Sequence, residues 1–178
     1  EQELLTQQRK QQVRGKEIAL VPQSVNYLDP LMKVGKQVRQ GRKDDVTKKK
    51  QRGLFKKYQL QEDTQDLYPF ECSGGMSRRI LLSTALMGNP RLIIADEPTP
   101  GLELSLAKKA MKDFRTFADE GNGVLLITHD IELALEVADR IAVFYAGTTV
   151  EEALVADFEA EETLRHPYTK ALWRAMPG

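Results

Sequence analysis

The sequence predicts an α/β fold: a mostly parallel sheet with helices on both faces, joined to a separate helical region. Three observations predict it. The segments Leu92–Ala95, Val124–Ile127 and Ile141–Phe144 are apolar at successive positions rather than alternate ones, as in parallel strands covered on both sides. Segments of helical periodicity fill the intervals between them. Residues 33–68, by contrast, are polar, basic and helix-forming.

In chain order, residues 1–14 read as a polar helix or arm. Glu17–Val21 is a short buried strand that Pro22 stops. Residues 24–32 form a loop with a Leu-Asp-Pro turn, and Gly41 and Gly53 are expected breaks in the helical region that follows. A helix over 74–88 ends at Gly88-Asn89-Pro90. A strand at Arg91–Asp96 precedes an amphipathic helix over 103–119 whose apolar face is Ala107, Ala110, Met111, Phe114, Phe117 and Ala118. Gly123–Thr128 is a strand, 130–138 a helix and Arg140–Tyr145 a strand, with Gly147 turning into Thr148–Val150. The tail, 151–178, is expected to be helical with breaks at Pro167 and Pro177.

Composition narrows the class. The 178 residues fit one domain. Formal net charge is zero with 29% charged residues, which argues for no nucleic-acid partner. A single cysteine, Cys72, excludes an internal disulfide framework and suits a reducing compartment. No apolar run approaches the ~20 residues that span a bilayer. The run Arg42 to Lys57 holds eight basic and two acidic residues at helical spacing, a solvated helix face rather than a nucleic-acid surface.

Two stretches carry the chemistry. Ser73-Gly74-Gly75 opens a helix, and two glycines let backbone amides converge at a helix N-terminus with its partial positive charge. Ser73 is equally an ordinary N-cap, and both roles can hold at once. Asp96 and Glu97 close a buried strand. A carboxylate there suits Mg2+, and its neighbour can polarise an attacking water. A lone Asp-Glu pair would be read as surface charge; Pro98-Thr99-x-Gly101-Leu102 and the downstream Thr128-His129-Asp130 favour function instead. Gln23, after the first strand, is either a loop residue or an amide ligand.

In this order and spacing, Glu71-Cys-Ser-Gly-Gly-Met-Ser-Arg-Arg79 and Leu92-Ile-Ile-Ala-Asp-Glu-Pro-Thr99 resemble the signature and Walker B motifs of the ABC-transporter ATPase family. The likeness runs from about residue 14 to 177. It implies a P-loop NTPase-like sheet. It implies ATP and Mg2+ as cofactors, Ser73, Gly74 and Gly75 on the γ-phosphate held by a facing subunit, and Asp96 and Gln23 at the metal. Glu97 would be the catalytic base and His129 the switch. Pro98 to Glu103 resembles the family's D-loop, with Pro100 and Glu103 departing from it. Cys72 and Met76 depart from the signature consensus. His166-Pro-Tyr-Thr169 with Ala171-Leu172, and Leu28-Asp-Pro-Leu-Met32, resemble the branch that imports peptides or nickel.

The resemblance implies a peripheral protein on the inner, cytoplasmic face of the cell membrane. Its partners would be permease subunits and a second ATPase subunit, homo- or heterodimeric, with a solute-binding protein reached indirectly. Residues 24–90 would be the helical subdomain, 91–150 the rest of the catalytic core and 151–178 the tail of a partial ATPase domain. No G-x-x-x-x-G-K-[ST] loop occurs in the sequence. The strand leading into such a loop, the central Walker A strand, is expected between the Asp96 strand and the strand ending at Thr128. Its absence would leave a slot with unpaired amides, a marginal fold and negligible hydrolysis by this polypeptide alone. The competing readings are a non-catalytic partner that donates only the signature turn, an inactive fragment, and a soluble ABC protein of translation or DNA repair.

Overall fold

The computed structural model describes residues 6, 9 and 12–176, and the chain divides after Ile127 into two compact units. Most of the arm expected over 1–14, and Pro177, lie outside the described residues.

In the first unit, β1 (Ile18–Val21), β2 (Leu92–Asp96) and β3 (Gly123–Ile127) form a parallel sheet in that order. Register runs Ile18↔Leu92 to Val21↔Ala95, then Leu92↔Gly123 to Asp96↔Ile127. Two faces follow from strand alternation. Val21, Ile93 and Ala95 are fully buried on one. The other carries Leu20, Ile94, Leu125 and Ile127, of which Leu20, Leu125 and Ile127 are roughly half exposed. The sequence thus supplies apolar side chains to both faces of the sheet.

The direct pairing of β2 with β3 corrects the expected position of the Walker A strand. Each strand satisfies the other's amides along five registered pairs, so no slot lies between them. The instability argued from that slot loses its basis.

The helical region holds α1 (Val34–Val38) and α2 (Asp45–Lys57), followed by short 3-10 turns. Gly41, at φ +78°, separates the two helices as expected. Gly53 does not break α2; it sits inside the helix facing open space, at a cost of about 1 kcal/mol against alanine that the packed helix tolerates. Thr47, Gln51 and Phe55, at i, i+4 and i+8, are the buried stripe of α2, while Lys48, Lys49, Lys50 and Lys56 are exposed. The signature helix α3 (Gly74–Met87) packs on α1, α2 and β1. Helix α4 (Leu104–Asp119) packs on β3 through the apolar face read from its periodicity, of which Ala107, Ala110, Met111 and Phe114 are buried. Tyr58, fully buried, donates to Asp113 Oδ2 of α4 at 2.6 Å, and Lys57 pairs with the other oxygen at 2.5 Å.

The second unit begins with α5 (Ile131–Val137) and a hairpin of β4 (Arg140–Tyr145) and β5 (Thr148–Leu154). Here the parallel reading of Ile141–Phe144 is corrected: β4 pairs antiparallel with β5 in a sheet of its own. Ala146 (φ +49°) and Gly147 (φ +82°) supply the two positive-φ residues of a tight two-residue hairpin, so turn chemistry overrides the continuous apolar run. The expected helical tail is also corrected. Strand β5 extends to Leu154, two 3-10 turns follow, and Pro167 begins α6 (Pro167–Arg174) rather than breaking it. Proline's missing N–H is harmless at a first helical position. Val143, Ala153, Phe158 and Leu164 form the core of this unit.

Candidate functional site

The site lies at the C-terminal ends of the parallel strands, where ligands of α/β sheets bind. Parallel register makes β1 and β2 end together, at Val21 and Ala95, so Gln23 and Asp96 emerge at the same rim of the sheet. Asp96 is half-buried and Gln23 is exposed.

Glu97 has left the strand. Its φ is +45°, a left-handed conformation that costs a non-glycine residue about 1–2 kcal/mol. Its N–H donates to the carbonyl of Ile127 at 2.9 Å, stitching the end of β2 to the end of β3. The buried Pro98 follows at once. The backbone turn therefore sets Glu97 apart from the pleat that orients Asp96.

Ser73 is an exposed N-cap whose Oγ accepts the N–H of Met76 at 3.2 Å. The capping role weighed above is thus the one this geometry displays. Gly74 faces open space. A Cβ on Gly75 would lie 3.3 Å from the carbonyl oxygen of Gly101, so the signature turn and the Pro98–Glu103 loop approach each other closely through glycine. Cys72 is half-buried; burial, then the charge of Glu71, pushes its thiol pKa up.

Two residues quoted only as part of the motif organise this region. Arg78, 6% exposed, donates from Nη1 to the carbonyl of Pro22 at 2.7 Å and from Nη2 to that of Gln23 at 2.6 Å. Burial pulls its pKa down, and the charges of Asp96 and Glu97 pull it back up. Arg79 donates from Nε to Gly75 O, and from Nη1 to the carbonyls of Tyr58 and Gln59 at 3.2 and 2.9 Å. The signal for Arg78 was available: it shares a helical face, at i, i+4 and i+7, with the buried Leu82 and Ala85. A charge on an apolar stripe needs a partner.

His129 is exposed and belongs to the second unit, between Thr128 and Asp130. Thr128 Oγ1 accepts the N–H of Asp130, whose carboxylate caps α5 through Leu133 N–H at 3.1 Å. Within that unit, the His166-Pro-Tyr-Thr169 segment also gains a physical meaning. The buried Glu151 carboxylate accepts the N–H groups of Arg165 and His166 at 2.8 and 2.9 Å. Burial pushes the Glu151 carboxyl up, but the hydrogen bonds it accepts, those two amides among them, outweigh it and hold the pKa below its ordinary value.

Asp96 and the amide oxygen of Gln23 are hard donors of the kind Mg2+ takes. Among the described residues no three His, Cys, Asp or Glu side chains group into a complete metal cage. A pair of oxygen donors with open positions fits an ion that keeps waters and shares its shell with phosphates.

A parallel-sheet rim bearing an acid pair, with a glycine turn opening a helix nearby, is the architecture of a nucleotide-handling α/β protein. The family model described as "ABC transporter" matches residues 1–100, and the chain belongs to that family. It is 37% identical over 185 residues to the oligopeptide transport ATP-binding protein OppD of Bacillus subtilis (strain 168), covering 97% of this chain and 51% of that protein. It is 36% identical to the dipeptide transport ATP-binding protein DppD of Haemophilus influenzae, covering 94% of this chain and 53% of that one. The chain thus spans about half the length of these curated relatives. Among solved structures, the ATP-binding cassette MJ0796, in a dimeric post-hydrolysis state bound to ADP and Pi, superposes with a TM-score of 0.74 at 27% identity, over 85% of this chain and 68% of that one.

Proposed function

We propose that this chain is part of the ATP-hydrolysing subunit of an ABC importer for peptides. The observation that carries the reading is the rim itself: Asp96 ends β2 with Glu97 next to it, Gln23 leaves the neighbouring strand, and one arginine of the signature helix bonds the Gln23 loop. Of the two solute classes of that branch, the names of the relatives favour peptides over nickel.

Each group has a task. Glu97 orients and deprotonates the water that attacks the γ-phosphate. Asp96 and Gln23 hold Mg2+, which supplies charge neutralisation of the phosphates when bound. Ser73, Gly74 and Gly75 present hydroxyl and amide donors to the γ-phosphate of ATP on a facing ATPase subunit. His129 serves as the switch that senses that phosphate. Residues 24–90 act as the helical subdomain that meets the permease subunits, 91–150 continue the catalytic core and 151–178 form the tail. No helix among the described residues is long and apolar enough to cross a membrane. Attachment to the inner face of the membrane then runs through the permease, and a solute-binding protein delivers the peptide.

The test is Glu97→Gln beside Ser73→Arg in the assembled transporter. Glu97→Gln is expected to lower ATP turnover by about 10²–10⁴ while ATP still binds. Ser73→Arg is expected to block closure of the facing site. Turnover within twofold of the unmutated complex for Glu97→Gln would overturn the catalytic assignment; loss only with Ser73→Arg would leave the chain as a donor of the signature turn.

A further inference from the structure

We infer that Arg78 is a positioning residue: its side chain fixes the Gln23 loop against the signature helix. The inference rests on the ATPase reading above for its consequences in turnover, but its structural half stands without it.

The geometry is specific. A guanidinium presents its donors in a rigid fork, and both terminal nitrogens are used on consecutive carbonyls, Pro22 and Gln23, at 2.7 and 2.6 Å. These carbonyls directly follow β1, the strand that carries Gln23 to the rim. Arg78 stands one turn beyond the Ser73-Gly74-Gly75 opening of the same helix. Movement of that helix end therefore reaches the Gln23 backbone through one side chain. Arg79 holds the opposite side of the same turn, bonded to Gly75 O and to the end of α2. The two adjacent arginines splint α3 between the sheet rim and the helical region.

Charge makes the same point. A guanidinium that is nine-tenths buried is costly unless carboxylates compensate it, and Asp96 and Glu97 are the acids whose fields reach it. Its Nε, moreover, has no hydrogen-bond partner among the described residues. Arg78 is thus held by its two carbonyl contacts and by that field, with no third bond to keep it in place when either is lost. Lysine can satisfy one carbonyl but cannot span both.

The experiment compares Arg78→Ala, Arg78→Gln and Arg78→Lys with the unmutated subunit in the assembled transporter, by amide hydrogen exchange without nucleotide and by steady-state ATP hydrolysis. Arg78→Ala is expected to speed exchange at Asn26, Tyr27 and Leu28, whose N–H groups bond within the tethered turn, by about tenfold. It is expected to lower kcat by about 10- to 100-fold, the range for outer-sphere partners, with KM for ATP moving less than threefold. Arg78→Lys should recover part of kcat and Arg78→Gln less. Unchanged exchange at residues 26–28 in a folded Arg78→Ala protein overturns the inference whatever the ATPase result. Should Arg78→Ala fail to fold, Lys and Gln variants equal to the unmutated protein in both readouts overturn it. Exchange altered as expected with no ATPase in the unmutated complex overturns the proposed function instead.

Discussion

Two buried charges of opposite sign do similar mechanical work in the two units. Arg78 donates to two consecutive carbonyls and Glu151 accepts two consecutive amides. Each fixes a loop backbone to a regular element. Their surroundings differ. Arg78 stands beside the acid pair at a strained rim, where Glu97 is left-handed. Glu151 stands beside the apolar cluster of Val143, Ala153, Phe158 and Leu164, and its clamp leads into an N-capped helix. In the proposed function the same device positions reacting groups in one place and only a fold in the other.

The comparison predicts a crossed pattern. The largest effect belongs to Glu97→Gln: hydrolysis by the assembled transporter falls by about 10²–10⁴ while the thermal midpoint stays put, as turnover and calorimetry would record. Next, Glu151→Ala leaves two part-buried amides without their carboxylate partner and costs about 1–2 kcal/mol in denaturant unfolding, with ATP affinity unchanged. Loss of ATP binding in Glu151→Ala without loss of stability would erase the distinction. Acid sharpens it further. The folded pKa of Glu151 is lowered from 4.5, so its stabilisation is fully present above that value and disappears as pH falls through the lower folded value. Unfolding midpoints measured across that acid range should show this slope in the unmutated protein and lack it in Glu151→Gln. The smallest effect separates the two signature glycines. Alanine at Gly74 meets nothing and should gain up to about 1 kcal/mol of helix stability, whereas alanine at Gly75 crowds Gly101 O and should gain less. Equal gains would remove the close approach of the two loops.

Much of this was legible beforehand, for identifiable reasons. Parallel strands β1 to β3 and helices α3 and α4 announced themselves because apolar runs and 3.6-residue periodicity survive without tertiary context. The acid pair and the glycine turn were legible because their residue types have few other uses at that spacing. What stayed hidden depends on partners distant in sequence. The order of β2 and β3 is a matter of pairing, which no single strand encodes. Strand β4 read as parallel because its run is apolar throughout, whereas the Ala146-Gly147 hairpin decided its partner. In the sequence Arg78 is one letter of a motif; its bonds to Pro22 and Gln23 cross more than fifty residues. Pro167 reads as a helix breaker because the same residue ends helices from inside and starts them at the first turn.

In the proposed function one rim handles the nucleotide, and the hairpin and tail serve only as structure. The direct measurement is amide hydrogen exchange of the assembled transporter with and without Mg2+–ATP. Slower exchange at residues 23–28, 73–79 and 96–101, with residues 151–169 unchanged, is the predicted result. Protection confined to 151–169, with the three rim segments unaltered, would contradict it.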